Sequence, residues 1–360
     1  MAVPLPRAPV SNPRPRLNID GVEPERASAL LQALEVNEQE GGLASLELRL
    51  SNVASLDDGG AGAAFEDERE LRLGSRITVA LGDAREPQEV FRGVVTGLEA
   101  DYPGDGPPEL VVHAEDALQQ ARMRRRTRVH RDQSLADLLR ALAGDLGLQA
   151  EVNGLDGVRG TWVQLNESDL AFLRRLLRAR GADLQVVGDS LQAAPRAEIR
   201  REALALTLSQ DIQRLRLFAD LAHQVTAVTS AGWDPLRGEA VSGRGERRPQ
   251  PGRGRSGPEL LREALGERVE HVGQVAVSDG EEAQALADAL FERRARAFVT
   301  AEGTAWGHPR IRVGCELELS GVSPRFDNTY QVVATCHRYS VREGYLTDFR
   351  AECAALGEPA

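Results

Sequence analysis

Arg72-Leu73-Gly74-Ser75-Arg76-Ile77-Thr78-Val79 and Arg312-Val313-Gly314-Cys315-Glu316-Leu317-Glu318-Leu319 share one pattern: arginine, apolar residue, glycine, two free positions, then apolar residues at every second place. Such alternation sends one side of a β-strand into a core and leaves the other polar, and the glycine marks the turn that feeds it. Further along come FRGVVTGLE (91–99) and YQVVATCHRYS (330–340), then ELVVHAED (109–116) and YLTDFRAECA (345–354), in the same order and at nearly equal spacing. Any two antiparallel meanders resemble each other in pattern. Spacing kept across three strands points to an internal duplication.

Working outward, LASLELRL (43–50), RITVAL (76–81), EVFRGVVTGLEA (89–100) and ELVVHAED (109–116) are short β-type runs between Gly, Asp and Pro clusters. They predict an antiparallel sheet closing into a small barrel or sandwich. Two helices follow. In RDQSLADLLRALAGDLGL, Ser134 and Asp137 form a capping-box pair, Leu135, Leu138, Leu139 and Leu142 make one face, and Gly147 is the stop. In NESDLAFLRRLLRARG, Asn166 reads as the N-cap and Leu170, Leu173 and Leu177 as the stripe. With the strands TWVQL and ADLQVVGDSLQAAP they suggest a small α/β module. Strand signals resume at LALTL, RLRLF and HQVTAVTSAGW, the last ending in the turn Trp233-Asp234-Pro235. Residues 243–258, rich in Gly, Arg and Pro, read as a mobile loop. A helix over residues 281–297 leads to the final strands.

At 360 residues the chain exceeds one ordinary domain, and two or three sizeable cores are expected. Aromatic residues make up only 4%, so those cores must be aliphatic. No apolar run approaches the roughly 20 residues of a membrane-spanning helix. The N-terminus, MAVPLPRAPVSNPRPR, lacks the apolar stretch of a signal peptide, so the chain is expected to be made in the cytoplasm and to begin as an extended arm. Every basic residue is Arg. The net charge of −11 conceals two basic segments, 122–131 and 237–255, so most of the remaining surface is acidic, which disfavours non-specific nucleic-acid binding.

The residues that carry chemistry are sparse. Cys315, Cys336 and Cys353 are odd in number and too widely spaced for a CxxC pair, and read as buried, inert thiols. Six histidines are scattered without HExxH spacing. A metal site from His308, Cys315, Cys336 and His337 would demand a particular strand pairing, and ordinary strand residues are the simpler reading. No GxSxG elbow, Walker A loop or GxGxxG after a strand occurs. Gly243-Arg244-Gly245 and Gly252-Arg253-Gly254-Arg255 belong to the loop. The pairs Asp57-Asp58 and Glu281-Glu282 read as solvated. Asn166, Glu167, Ser168 and Asp169 read as a helix cap and not an active site. No cofactor, no metal and no enzymatic activity are therefore expected. Arg122, Arg124, Arg125, Arg126, Arg128 and Arg131, in RMRRRTRVHR, could contact nucleic acid. Without interleaved aromatics to stack bases, a surface that docks an acidic neighbour is the better reading.

Four segments, in order, resemble one family. TWVQLNESDLAFLRRLLRARGADLQVVGDSLQAAP is similar to the signature segment of VgrG-type spike proteins and phage late control gene D proteins, where an N-[EQ]-S-D motif opens a helix. RRRTRVHRDQSLADLLRALAGDLGL, HQVTAVTSAGWDP with its Gly232-Trp233-Asp234-Pro235 turn, and the C-terminal GHPRIRVGCELELSGVSPRFDNTYQVVATCHRYS also resemble that family. The likeness covers about residues 16–355, with Gly74 and Gly314 in corresponding places.

The resemblance implies an α+β, mainly β fold: two tube-like antiparallel β-barrels with inserted small α/β modules. The arm would span 1–15, the first barrel 16–116, and the inserted α/β module 117–195. The second barrel would comprise 196–236 and 305–357, with an insertion at 237–304 holding the loop and a helix. It implies a structural baseplate hub of a contractile, phage-tail-like injection system. As a homotrimer it would present a pseudo-sixfold ring that adapts a threefold spike to a sixfold inner tube. Expected partners are further copies of itself, the inner tube or a tube-initiator protein, a separate spike or needle protein, and baseplate wedge proteins, with an effector or DNA passing through the lumen. No membrane insertion by this chain is implied. The chain stops where many VgrG-type proteins continue into a needle, so the needle is expected on another polypeptide. The acidic surface suggests a negatively lined lumen. The alternatives are a nucleic-acid-binding module using 122–131 and a tail-associated wall-degrading enzyme.

Overall fold

The computed structural model describes residues 3–4, 14–55, 61–199, 201–246, 251–273 and 275–358. Most of the expected N-terminal arm and the Asp57-Asp58 pair lie outside them. The fold is mainly β, dominated by one 13-stranded sheet.

The first unit holds β1 (Arg16–Ile19), α1 (Glu25–Leu30), β2 (Leu31–Gln39), β3 (Ser45–Ser51), β4 (Arg76–Gly82), β5 (Pro87–Asp101) and β6 (Glu109–Glu115). Its strands lie in the order β1-β4-β5-β6-β3-β2, every neighbour antiparallel. The alternation of SLELRLS does what the pattern demands, burying Leu46, Leu48 and Leu50 in an aliphatic core with Leu17, Ile77, Val79 and Val112.

The chain then builds α2 (Leu118–Met123), β7 (Arg125–Ser134), α3 (Leu135–Leu146), β8 (Gln149–Val152), β9 (Arg159–Ser168), α4 (Asp169–Arg178), β10 (Ala182–Val187) and β11 (Ser190–Pro195). β7 and β9 form a two-stranded ribbon, and β8-β11-β10 a small sheet. Ser134 caps α3 by accepting from the Asp137 N–H, while the Asp137 carboxylate accepts from the Ser134 N–H. Leu135, Leu138, Leu139 and Leu142 pack against Leu170, Phe172, Leu173 and Leu177 of α4. The cap of α4 differs from the expectation. Ser168, not Asn166, is the N-cap, its hydroxyl accepting from the Ala171 N–H at 3.2 Å. The β7–β9 ladder runs as far as Arg125 opposite Ser168, so the backbone is still strand at Asn166, where φ is +50°.

The second unit follows: β12 (Ala203–Thr207), β13 (Ile212–Ala219), β14 (Ala227–Asp234), β15 (Glu239–Gly245), α5 (Gly257–Leu265), β16 (Val269–Val272), α6 (Gly280–Arg296), β17 (Val299–Trp306), β18 (Glu316–Ser320), β19 (Asn328–Ser340) and β20 (Gly344–Cys353). Its order, β12-β18-β19-β20-β17-β13, repeats that of the first unit strand for strand. One direction changes, since β12 runs parallel to β18 whereas β1 runs antiparallel to β4.

Two register slips also repeat, whereas a third, between Val79 and Ala80 where β4 meets β5, has no counterpart between β18 and β19. Register slips occur between Val95 and Gly97 in β5 and between Val332 and Ala334 in β19; they recur between Leu31 and Ala33 in β2 and between Ile212 and Arg214 in β13. Gly74 and Gly314 sit at φ +87° and +86°, a conformation that disfavours any residue with a Cβ. The Gly74 N–H donates to the Val95 carbonyl and the Gly314 N–H to the Val332 carbonyl, both at 2.8 Å.

Two expectations for residues 196–304 need correction. β14 does not join the large sheet; it forms a separate three-stranded sheet, β15-β14-β16, covered by α6. The segment intervening between β13 and β17 is therefore 220–298, where the first unit has only the short turn 40–44. Nor is 243–258 a mobile loop in its described parts. Residues 239–245 are strand, 255–256 pair with 355–356, and α5 starts at Gly257 behind a Ser256–Glu259 capping box; residues 247–250 lie outside the described residues. The glycines explain the misreading. A Cβ on Gly243 or Gly245 would come within 2.4 Å of the α6 backbone at Ala283 or Ala287, so their bareness lets helix and strand touch.

Candidate functional site

The feature that joins the two repeats is a shared strand. β19 pairs with β18 through Asn328–Gln331, and the same edge then pairs with β2 of the first unit, from Ala334 opposite Gln39 to Ser340 opposite Ala33. Thr335, His337 and Tyr339 of β19 are buried there against Leu34 and Val36 of β2.

Charge is buried at this seam in pairs, as burial requires. Both carboxylate oxygens of Glu38 meet the Arg312 guanidinium, whose Nε donates to Oε2 at 2.6 Å, and Thr335 Oγ1 donates to the same oxygen at 3.3 Å. Burial opposes the Glu38 charge, yet Arg312 holds it below the ordinary carboxylate value. Burial likewise opposes the charge of Arg312, and Glu38 more than restores it. Glu40 pairs with Arg196 and with Arg296, the latter at 2.9 Å, and Arg296 reaches Glu352 at 3.1 Å. His337 Nδ1 lies 2.9 Å from Tyr345 Oη; burial and the nearby Arg312 push its pKa down to about 3. Sequence reasoning missed these partners, which no local pattern marks.

The α/β module is clamped onto the turn between β2 and β3. Arg174 donates to the carbonyls of Gly41 and Gly42 at 2.5 and 2.6 Å, the Gly41 N–H donates to Asp183, and the Ala44 N–H to Asp116. Burial raises the Asp116 pKa to about 6 despite the N–H groups of Ala44 and Leu118 that donate to it. A cleft of about 530 Å3 beside the clamp is rich in arginine. Arg174, Arg196 and Arg296 are committed to the partners above, whereas Arg178 and Arg293, which also line it, have no ion pair among the described residues.

The arginines of the run differ in their partners. Arg122, at the end of α2, pairs with Glu115 at 2.5 Å. Arg125 donates to the Asn166 carbonyl and Arg126 pairs with Asp169 at 3.3 Å, tying β7 to the Asn166–Asp169 segment. Arg124, Arg128 and Arg131 are exposed, with no ion pair among the described residues. Glu167 meets Arg175 through two bonds, at 2.9 and 2.8 Å. The ribbon also exposes Val129, Val163 and Leu165. In the Gly232-Trp233-Asp234-Pro235 segment, Asp234 accepts from the N–H groups of Leu236 and Arg237 and so shapes the β14–β15 hairpin, while Trp233 stays exposed. Gly232 lies against the Val277 carbonyl.

The three cysteines are free; burial raises the thiols of Cys315 and Cys336 to about 12 and that of Cys353 to about 11. His308, Cys315, Cys336 and His337 do not converge, and among the described residues no three His, Cys, Asp or Glu side chains are grouped to hold a metal. Among the described residues no helix is long and apolar enough to cross a membrane.

Among the solved structures that share this fold are three tail or secretion components. The 43 kDa tail protein of prophage MuSo2 from Shewanella oneidensis superposes with a TM-score of 0.69 at 14% identity, covering 94% of this chain and 97% of that one. A tail protein from Neisseria meningitidis MC58 gives 0.66 at 13%, covering 94% and 96%. An Escherichia coli type VI secretion component, described as structurally similar to the bacteriophage T4 tail proteins gp27 and gp5, gives 0.62 at 13%, covering 96% and 79%. No curated protein matches the chain by sequence. Fold and seam thus define a mainly β chain with the architecture seen in phage-tail and type VI secretion proteins. A family model, the Alg8 N-terminal domain, matches residues 53–341, and the chain belongs to that family.

Proposed function

We propose that this chain is a structural hub subunit at the baseplate of a contractile, phage-tail-like injection apparatus, with no catalytic role of its own. Three copies, each contributing two tube-like barrels, form a pseudo-sixfold ring that adapts a threefold spike to a sixfold inner tube. The observation that carries this reading is the strand-for-strand repetition of β1-β4-β5-β6-β3-β2 by β12-β18-β19-β20-β17-β13, including both register slips and the Gly74 and Gly314 turns. Two near-equivalent units per chain are what a threefold assembly needs to meet a sixfold partner. The shared fold with phage-tail and type VI secretion proteins supports it. The partners are the inner tube or its initiator, the spike and the surrounding wedge, with cargo passing through the centre. A nucleic-acid module is less well supported, because Arg122, Arg125 and Arg126 are already engaged within the chain. Native mass spectrometry of the purified chain should show a trimer; a monomer at micromolar concentration would overturn the proposal.

A further inference from the structure

The arginine-rich cleft beside the clamp lies where the turn after β2, the α/β module and helix α6 of the second unit come together. Helical spacing makes its walls. Arg174, Leu177 and Arg178 stand at i, i+3 and i+4 of α4, and Ala289, Glu292, Arg293 and Arg296 at i, i+3, i+4 and i+7 of α6, so one face of each helix turns to the same space. A Cβ added to Gly181, just past α4, would meet the Ala289 Cβ at 3.4 Å, which is where the two walls touch.

The charges in this cleft do not balance. Among the described residues five arginines line it against three carboxylates, those of Glu40, Asp183 and Glu292. Glu40 answers Arg196 and Arg296, and Asp183 accepts from the Gly41 N–H at 2.6 Å. Arg174 donates to two neutral carbonyls and not to a carboxylate. Arg178 and Arg293 are exposed, with no hydrogen bond or ion pair among the described residues. Burial first, and then the charge of Arg178, pushes the Arg293 pKa below its ordinary value, so the two guanidinium groups oppose each other. In the same cleft Arg196 Nε is buried and has no hydrogen-bond partner. A cation in the last turn suits a helix end, which accounts for either rim arginine alone but not for two helices presenting theirs to one space.

We propose that this cleft binds a phosphate dianion, free or carried on a small molecule, between Arg178 and Arg293, and that the bound ion ties the α/β module to α6. The site goes beyond the hub reading and does not depend on it. A surplus of two positive charges among the lining residues matches a dianion. Guanidinium groups reaching from two separate walls call for oxygens that do not lie in one plane, which a tetrahedral phosphate has and a single carboxylate lacks. Arg196 Nε is a further donor within the cleft. A volume of about 530 Å3 falls among those of small-molecule pockets and leaves room for a carrier behind the phosphoryl group.

The test uses the full-length chain at fixed ionic strength and slightly alkaline pH, where phosphate is a dianion. Inorganic phosphate about tenfold above its Kd should raise the melting temperature by about 2 °C over sodium chloride. Arg178→Gln and Arg293→Gln should each raise the phosphate Kd, read by titration calorimetry, by about tenfold or more. Both should stay folded by circular dichroism, since neither side chain has a partner to lose. Arg128→Gln, at an exposed arginine away from the cleft, should leave the phosphate response unchanged. Pyrophosphate or ATP binding more tightly than phosphate, with the same loss in the two variants, identifies a phosphorylated small molecule as the ligand, and phosphate binding the tighter identifies the free ion. Succinate binding as well as phosphate at the same arginines overturns the choice of phosphate. A phosphate shift no larger than that of chloride, or one that survives both substitutions, overturns the site.

Discussion

Glu38 of the first unit and Arg312 of the second meet inside the molecule, one guanidinium against both carboxylate oxygens, where each would be costly alone. Arg312→Ala therefore strands a buried carboxylate and should cost about 3–5 kcal/mol in urea denaturation, whereas the double variant Glu38→Leu with Arg312→Met should lose much less. The exposed pair Arg216 and Glu302, 3.8 Å apart, sets the contrast, since breaking it should cost under about 1 kcal/mol.

The paired turns predict a graded response. No atom would lie within 4 Å of a Cβ added at Gly74, so Gly74→Ala should cost about 1–2 kcal/mol through backbone conformation alone. A Cβ at Gly314 would also meet Ile199 at 3.1 Å. Gly314→Ala should be the worse of the two in chemical denaturation.

Stability should fall as the solution is acidified. His337 titrates near 3 when folded and His308, pushed down by burial and by Arg310, near 4, both below the ordinary 6.5. Between pH 6.5 and those values the unfolded chain binds protons that the native state refuses, so the stability present at pH 7 is lost progressively toward pH 4. His337 alone should account for about 2 kcal/mol between pH 7 and 5, and His337→Gln should flatten the profile of denaturation midpoint against pH by that amount.

Helix α4 offers a local check on its cap. Ser168→Ala removes the acceptor for the Ala171 N–H and should cost about 1 kcal/mol. Asn166→Gly, at a left-handed position, should be close to neutral. Thermal melts of the two variants would exchange their order if Asn166 were the cap.

The meanders were legible because β3, β4, β18 and much of β19 alternate strictly, one face apolar. β2 was not, and its own bulge is the reason. With Gln32 stepping out of register, its buried residues fall at Leu31, Leu34 and Val36, a spacing of three and then two that breaks the strict alternation of a strand. The capping box of α3 was readable from Ser134 and Asp137, while the cap of α4 was displaced by a ladder whose partner strand begins some forty residues earlier. Glycines at 243 and 245 carry no sign in sequence of whether they loosen a loop or admit a helix. The seam was hidden more deeply, because Glu38 and Arg312 are 274 positions apart and neither belongs to a motif.

β19 has a mechanical consequence. It is one uninterrupted strand, bonded at one end to its own unit and at the other to the neighbouring one. The two units share one sheet there, so a load applied to one passes to the other across the strand pairing from Ala334 to Ser340. Separating them means shearing the whole run from Ala334 to Ser340 together, not peeling one bond at a time. In the proposed hub, thrust would cross from one unit to the other at this strand.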